Sequence, residues 1–113
     1  MKISIKGYGE NIATFGTSGV VSASHVVKMA DNLTVSECSA GDKFIGTAVS
    51  VKNEYAGIQL DGYVTVNYSG TAPTVGYCTL VADGNGGVKT ASAGKEYLVT
   101  DVDTIAKTAG IIL

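Results

Sequence analysis

Few residues in this chain have the types and spacing that chemistry requires. His25 is the single histidine. A histidine-rich metal site is therefore ruled out, and a triad would have to bring a nucleophile to it from elsewhere. Ser18, Ser22, Ser24 and Ser36 are near it in sequence, but none has the Gly-x-Ser-x-Gly context of a nucleophile elbow. Cys38 with His25 as its base is the one conceivable nucleophile pair. Asp101 and Asp103 stand two apart, so a strand would put both carboxylates on one face, where they could hold a cation or act as a pair. Gly84-Asn85-Gly86-Gly87-Val88-Lys89-Thr90 lacks the spacing of a phosphate-binding loop, and strand-forming residues follow where a helix is needed. Asp83 and Asn85 match the opening of a calcium loop, but Gly87 occupies the next ligand position and the closing Glu is misplaced. No catalytic, cofactor-binding or metal-binding residue is assigned, no cofactor is expected, and the chain is read as not an enzyme. The competing reading is a small β-barrel ligand-binding or enzymatic domain with a pocket near His25/Cys38 or Asp101/Asp103.

Composition points the same way. The 113 residues are 45% hydrophobic and 16% charged, against about 25% charged in ordinary soluble domains. Such a chain can fold, and part of its surface is expected to be covered by a partner. All eight basic residues are lysine, the net charge is −2, and arginine is absent. Nucleic-acid binding, which needs a basic face and favours the guanidinium fork, is not expected. No stretch nears the ~20 apolar residues of a membrane span, and Met1 to Lys6 has no signal-peptide core. A reducing cytosol is the expected site of synthesis, with Cys38 and Cys78 as free thiols.

The elements that would position these groups are short strands. Ile3 and Ile5 alternate with Lys2, Ser4 and Lys6, and Leu33 to Ser36 alternates likewise. From Lys43 to Lys52, Ile45, Thr47, Val49 and Val51 fall on one side, with Phe44, Gly46, Ala48 and Ser50 on the other. Asp61-Gly62 divides two alternating runs, as either a hairpin turn or a bend in one strand. Asp83 to Gly87 reads as the turn of a hairpin returning through Val88 to Thr90. Ser24–Ala30 and Asp103–Lys107 could each form one or two helical turns. The fold expected is all-β, a compact barrel or sandwich with Gly-rich turns and at most one or two short helical turns. Residues 20–113 would make one β domain, and residues 1–19 an N-terminal segment that is either an arm or a first strand.

Four runs then stand out: Ser39-Ala40-Gly41-Asp42-Lys43-Phe44-Ile45-Gly46-Thr47-Ala48, Ile58 to Val66 around Leu60-Asp61-Gly62, Gly70-Thr71-Ala72-Pro73-Thr74-Val75-Gly76, and Asp83 to Lys89. With Val102-Asp103 and the apolar end Gly110 to Leu113, their order resembles the small decoration-type head proteins of tailed phages and prophages. The resemblance covers roughly residues 20–113. It implies a structural β protein on the capsid exterior, made in the bacterial cytoplasm. Its partners would be itself, commonly as a trimer, and a major capsid protein, with no nucleic acid or membrane involved. Its role would be to clamp capsid subunits together. Residues 2–17 match nothing in that pattern. Among them Ile3, Ile5, Tyr8, Ile12 and Phe15, spaced by Gly7, Gly9 and Gly16, are the candidate partner-binding residues. They could add a strand to a partner's sheet, or simply begin the domain's own sheet.

Overall fold

The computed structural model describes residues 11–113. These form ten strands, and none of the described residues is helical. The strands are β1 (Asn11–Thr17), β2 (Val26–Asp31), β3 (Thr34–Glu37), β4 (Gly46–Lys52), β5 (Tyr55–Asp61), β6 (Tyr63–Asn67), β7 (Gly76–Ala82), β8 (Val88–Thr90), β9 (Lys95–Asp103) and β10 (Thr108–Ile112). The first five close into a barrel in the order β1-β3-β2-β4-β5, and the last five make a sheet in the order β6-β10-β9-β7-β8. The fold is all-β, and a barrel is part of it. Asn11–Thr17, within the segment expected as arm or first strand, is a barrel strand antiparallel to β5 and parallel to β3. The second sheet curls towards closure, because Tyr68 bridges Val88 and Ser69 N–H donates to Val88 C=O at 3.0 Å.

Gly62 is the point where the chain leaves one sheet for the other. β5 and β6 do not pair, so Asp61-Gly62 is a bend and not a hairpin. Gly62 has φ +88°, which a side chain would strain. Gln59, only 3% exposed, fastens the bend: its Nε2 donates to Asp61 C=O at 3.0 Å and Tyr63 C=O at 2.8 Å. Gly62 C=O accepts from Leu113 N–H at 2.9 Å, so Leu113 closes over the same corner.

β2 replaces the helical turns expected from Ser24 to Ala30. Val26 and Val27 are both fully buried but in different cores. Two adjacent residues can point to opposite sides on a strand, whereas a helix offers one apolar stripe. Val27 joins Val35, Ala48, Ala56 and Ile58 inside the barrel. Val26 joins Phe44, Leu80, Tyr97, Val99 and Ile111 between the barrel and the second sheet. In Asp103–Lys107, Asp103 ends β9 and residues 104–107 form a turn leading into β10. The alternation expected from Lys43 to Lys52 is broken in β4, where a register shift between Ala48 and Ser50 turns both Ala48 and Val51 towards the barrel core. The Asp83–Gly87 hairpin turn forms as the sequence suggests, with Ala82 opposite Val88.

Backbone bonds weld the two halves. Val26 N–H donates to Gly86 C=O at 3.0 Å, Gly41 N–H to Ala82 C=O at 2.8 Å, and Ala82 N–H to Asp42 C=O at 2.9 Å. One buried polar group is left over. Thr47, 2% exposed, has no hydrogen-bond partner for Oγ1 among the described residues. A buried hydroxyl without a partner costs free energy that an apolar group of similar shape avoids. Thr47→Val is therefore expected to raise stability by about 1 kcal/mol, read as a higher urea midpoint with an unchanged slope.

Candidate functional site

His25 begins at a backbone turn. Ser24 has φ +71°, and its N–H donates to Ala48 C=O at 2.6 Å. The imidazole Nδ1 then lies 2.7 Å from Glu37 Oε1 at the end of β3, while Glu37 Oε2 accepts from Ser22 N–H at 3.0 Å. The ring also packs against Gly86, where an added Cβ would fall 2.5 Å from its atoms. His25 thus joins the turn before β2, the end of β3 and the Asp83–Gly87 loop. Both of its evident neighbours are structural.

Cys38 lies beside a different set of groups. Burial against the second core pushes its thiol up to about 11, with the Asp42 carboxylate adding to the effect and the Lys28 ammonium opposing it. His25 is not among the charges acting on it. A cysteine nucleophile needs the opposite perturbation, a lowered pKa from a cation or a base. At pH 8 Cys38 is expected to react with iodoacetamide about 10- to 100-fold more slowly in the folded protein than in urea. Mass spectrometry of the Cys38 peptide would measure the ratio.

The neighbouring ion pair is Lys28 Nζ to Asp42 Oδ2 at 2.7 Å, and the same oxygen accepts from Ser39 N–H at 2.8 Å. These bonds hold the Asp42 carboxyl below its ordinary 3.8 and lift Lys28 above 10.5. The carboxylate's contribution to stability is present above about pH 4 and is lost as pH falls through the lower folded value. The ammonium's contribution is present below about pH 10.5 and is lost as pH rises through the higher folded value. Asp42→Asn is therefore expected to flatten the acid side of the stability profile, measured as urea midpoints from about pH 2 to pH 7.

The aspartates expected as a possible pair do separate work. Asp101 Oδ1 accepts from the Tyr63 hydroxyl at 3.1 Å and the Thr100 hydroxyl at 2.7 Å, tying β9 to β6. Asp103 Oδ1 accepts from Ile105 N–H at 2.9 Å and Ala106 N–H at 3.0 Å, fastening the turn before β10. Asp83 Oδ1 accepts from Asn85 N–H at 2.7 Å and Gly87 N–H at 3.1 Å, while Oδ2 accepts from the Ser69 hydroxyl at 3.0 Å. No group of three or more His, Cys, Asp or Glu could hold a metal ion among the described residues.

Among the described residues, two shallow hollows lie on the surface, and neither is lined by His25, Cys38, Asp101 or Asp103. One, of about 250 Å³, opens on the outer barrel face over Gly57, between Thr14, Ser50, Lys52 and Tyr55. The other, of about 260 Å³, lies on the outer face of the second sheet among Tyr77, Leu98, Ile112 and Leu113. Of the residues expected to bind a partner, Ile3, Ile5 and Tyr8 lie outside the described residues. Ile12 faces outward on β1, 56% exposed, whereas Phe15 packs against the barrel core.

Sequence reasoning did not find the outer face of the second sheet. Register places Tyr77 opposite Leu98, Leu98 opposite Ile112, and Ile112 opposite Tyr63, making one apolar row across four strands. The alternation of Tyr97 to Val102 marks Leu98 as lying on the face opposite Tyr97. Only the strand order brings the other three residues beside it.

Comparison with protein-family models and with curated proteins returned no match to this chain. Among the described residues no helix is long and apolar enough to cross a membrane.

Proposed function

We propose that the chain is a structural, non-catalytic protein that decorates the exterior of a phage or prophage head. In this reading it stabilises the shell through contacts with itself and with a major capsid protein. The observation that carries the reading is where the candidate chemical groups have gone. His25, Asp83, Asp101 and Asp103 each have a local structural partner, and none of them lines either hollow among the described residues. Catalysis would call for convergent polar groups with perturbed ionisation in a concave site. A clamp calls for a rigid body with apolar surface to bury, and the outward Ile12, Val49, Tyr55, Tyr77 and Leu98 supply such surface. The runs that resemble decoration proteins also coincide with structural corners: Asp42 and Phe44 at the junction of the halves, the Gly62 bend, and the Asp83 loop.

The direct experiment is cosedimentation of the purified chain with expanded empty heads from the phage or prophage whose genome encodes it. Saturable binding to undecorated heads, with raised resistance of those heads to heat or low ionic strength, is the expected result. Failure to bind such heads, while native decoration binds normally, overturns the reading.

A further inference from the structure

The row on the second sheet has an order that matters. From β6 through β10 and β9 to β7 it runs Tyr63, Ile112, Leu98, Tyr77, that is, aromatic, aliphatic, aliphatic, aromatic. We propose that this row is where two copies of the chain meet face to face about a twofold axis. A twofold interface is self-complementary: the same patch contributes from both sides. The row satisfies this whichever way the in-plane axis runs. If the axis lies along the strands, Tyr63 faces the second copy's Tyr77, and Ile112 faces its Leu98. If it lies across them, each residue faces its own counterpart. Either way rings meet rings and aliphatic groups meet aliphatic groups. A threefold contact would instead need two different patches joined head to tail.

Size sets the strength. Tyr77 is 74% exposed and Leu98 36%, while Tyr63, Ile112 and Leu113 are half-buried. Taking ~200 Å² for a whole aromatic side chain, the row offers on the order of 400 Å² per copy. Thr65, Thr79 and Glu96 at its rim bring the two-copy total to ~1,000 Å², the lower bound for a specific interface. A contact at that lower bound is expected to be weak and reversible. The charge pattern allows it, since Asp101 is already bonded to Tyr63 and Thr100, and the exposed Glu96 lies at the rim, where water can still reach its carboxylate. This proposal does not depend on the capsid reading.

Sedimentation velocity on the full chain, from about 5 µM to about 500 µM, tests it. The expected result is a shift from monomer to dimer across that range for the wild type. Tyr77→Glu and Leu98→Ser should each raise the dissociation constant at least tenfold, while Val20→Ser, at an exposed position between β1 and β2, leaves it unchanged. Thermal melts identify any variant that has lost its fold, and having two substitutions on the row keeps the test decisive. A wild type that stays monomeric to the top of the range overturns the proposal. So does a trimer, or a dimer indifferent to both substitutions.

Discussion

Gly46→Ala is expected to destabilise the protein by about 3 kcal/mol or more, which for a chain of this size is a fall of over ~10 °C in Tm. Gly46 opens β4 opposite Val27 of β2 and is buried. A Cβ there would collide with the backbone carbonyl oxygen of Gln59, lie 3.0 Å from the carbonyl carbon, and crowd the Ile58 side chain at 3.2 Å. The obstacle is backbone and not a flexible side-chain tip, so no rotamer change relieves it. Movement of Gln59 would also disturb the two hydrogen bonds that hold the Gly62 bend, so the damage extends to the joint between the two sheets. Gly16→Ala is the matched control. Its Cβ would meet neighbours at ordinary distances of 3.6 to 3.8 Å, and a change within ~1 kcal/mol is expected. Thermal melts of the two variants followed by circular dichroism make the comparison. Equal melting temperatures would refute the steric argument.

Ile58→Ala is expected to cost about 3–4 kcal/mol, and the loss should register in both cores at once. Ile58 is fully buried at the centre of the barrel cluster, and truncating such a side chain removes its transfer free energy and leaves a cavity. The sharper expectation concerns cooperativity. Tyr68 and Tyr97 belong to the other cluster, yet Val26 and Val27 of one strand serve the two clusters from opposite faces. Tyr97 donates its hydroxyl to Phe44 C=O at 3.1 Å and stacks on the Phe44 ring at 4.8 Å, which ties the sheet core to the chain just before β4. Tyrosine fluorescence and far-ultraviolet circular dichroism should therefore report one shared transition, moved to lower urea by the same amount. Two separated transitions would show that the halves unfold independently.

Local features could be read from the chain alone, and paired ones could not. The Asp83–Gly87 turn was legible because its reasons lie within five residues: an aspartate that accepts from two N–H groups, and glycines at positive φ. The Asp61-Gly62 pair was ambiguous because nothing local tells a hairpin from a bend. The answer depends on β10, nearly fifty residues away, pairing with β6. Between a helical turn and a strand at Ser24–Ala30 the local sequence does not decide, because Val26-Val27 is buried on two sides and the second side exists only once the later half of the chain folds against it. His25 and the paired aspartates carry no catalytic motif in the sequence, and in the fold each has a local hydrogen-bond partner. Glu37, which partners His25, cannot be picked out from the sequence, because no spacing rule links residues on neighbouring elements. The Tyr63–Tyr77 row was hidden for the same reason, since it draws on four strands and its order is a product of register.

Gly62 has a further consequence, for the order of events during synthesis. Every strand of the barrel precedes it and every strand of the second sheet follows it. The barrel ladder can therefore close while the remaining half is still being made, an interval of roughly 3–10 s at ribosomal speeds. During those seconds Val26 and Phe44 have no sheet to cover them, and the outside of a finished barrel carries a sticky apolar face. Nascent chains on one message carry that same face close together, so slow or stalled translation past Gly62 is the stage at which this protein is most exposed to aggregation.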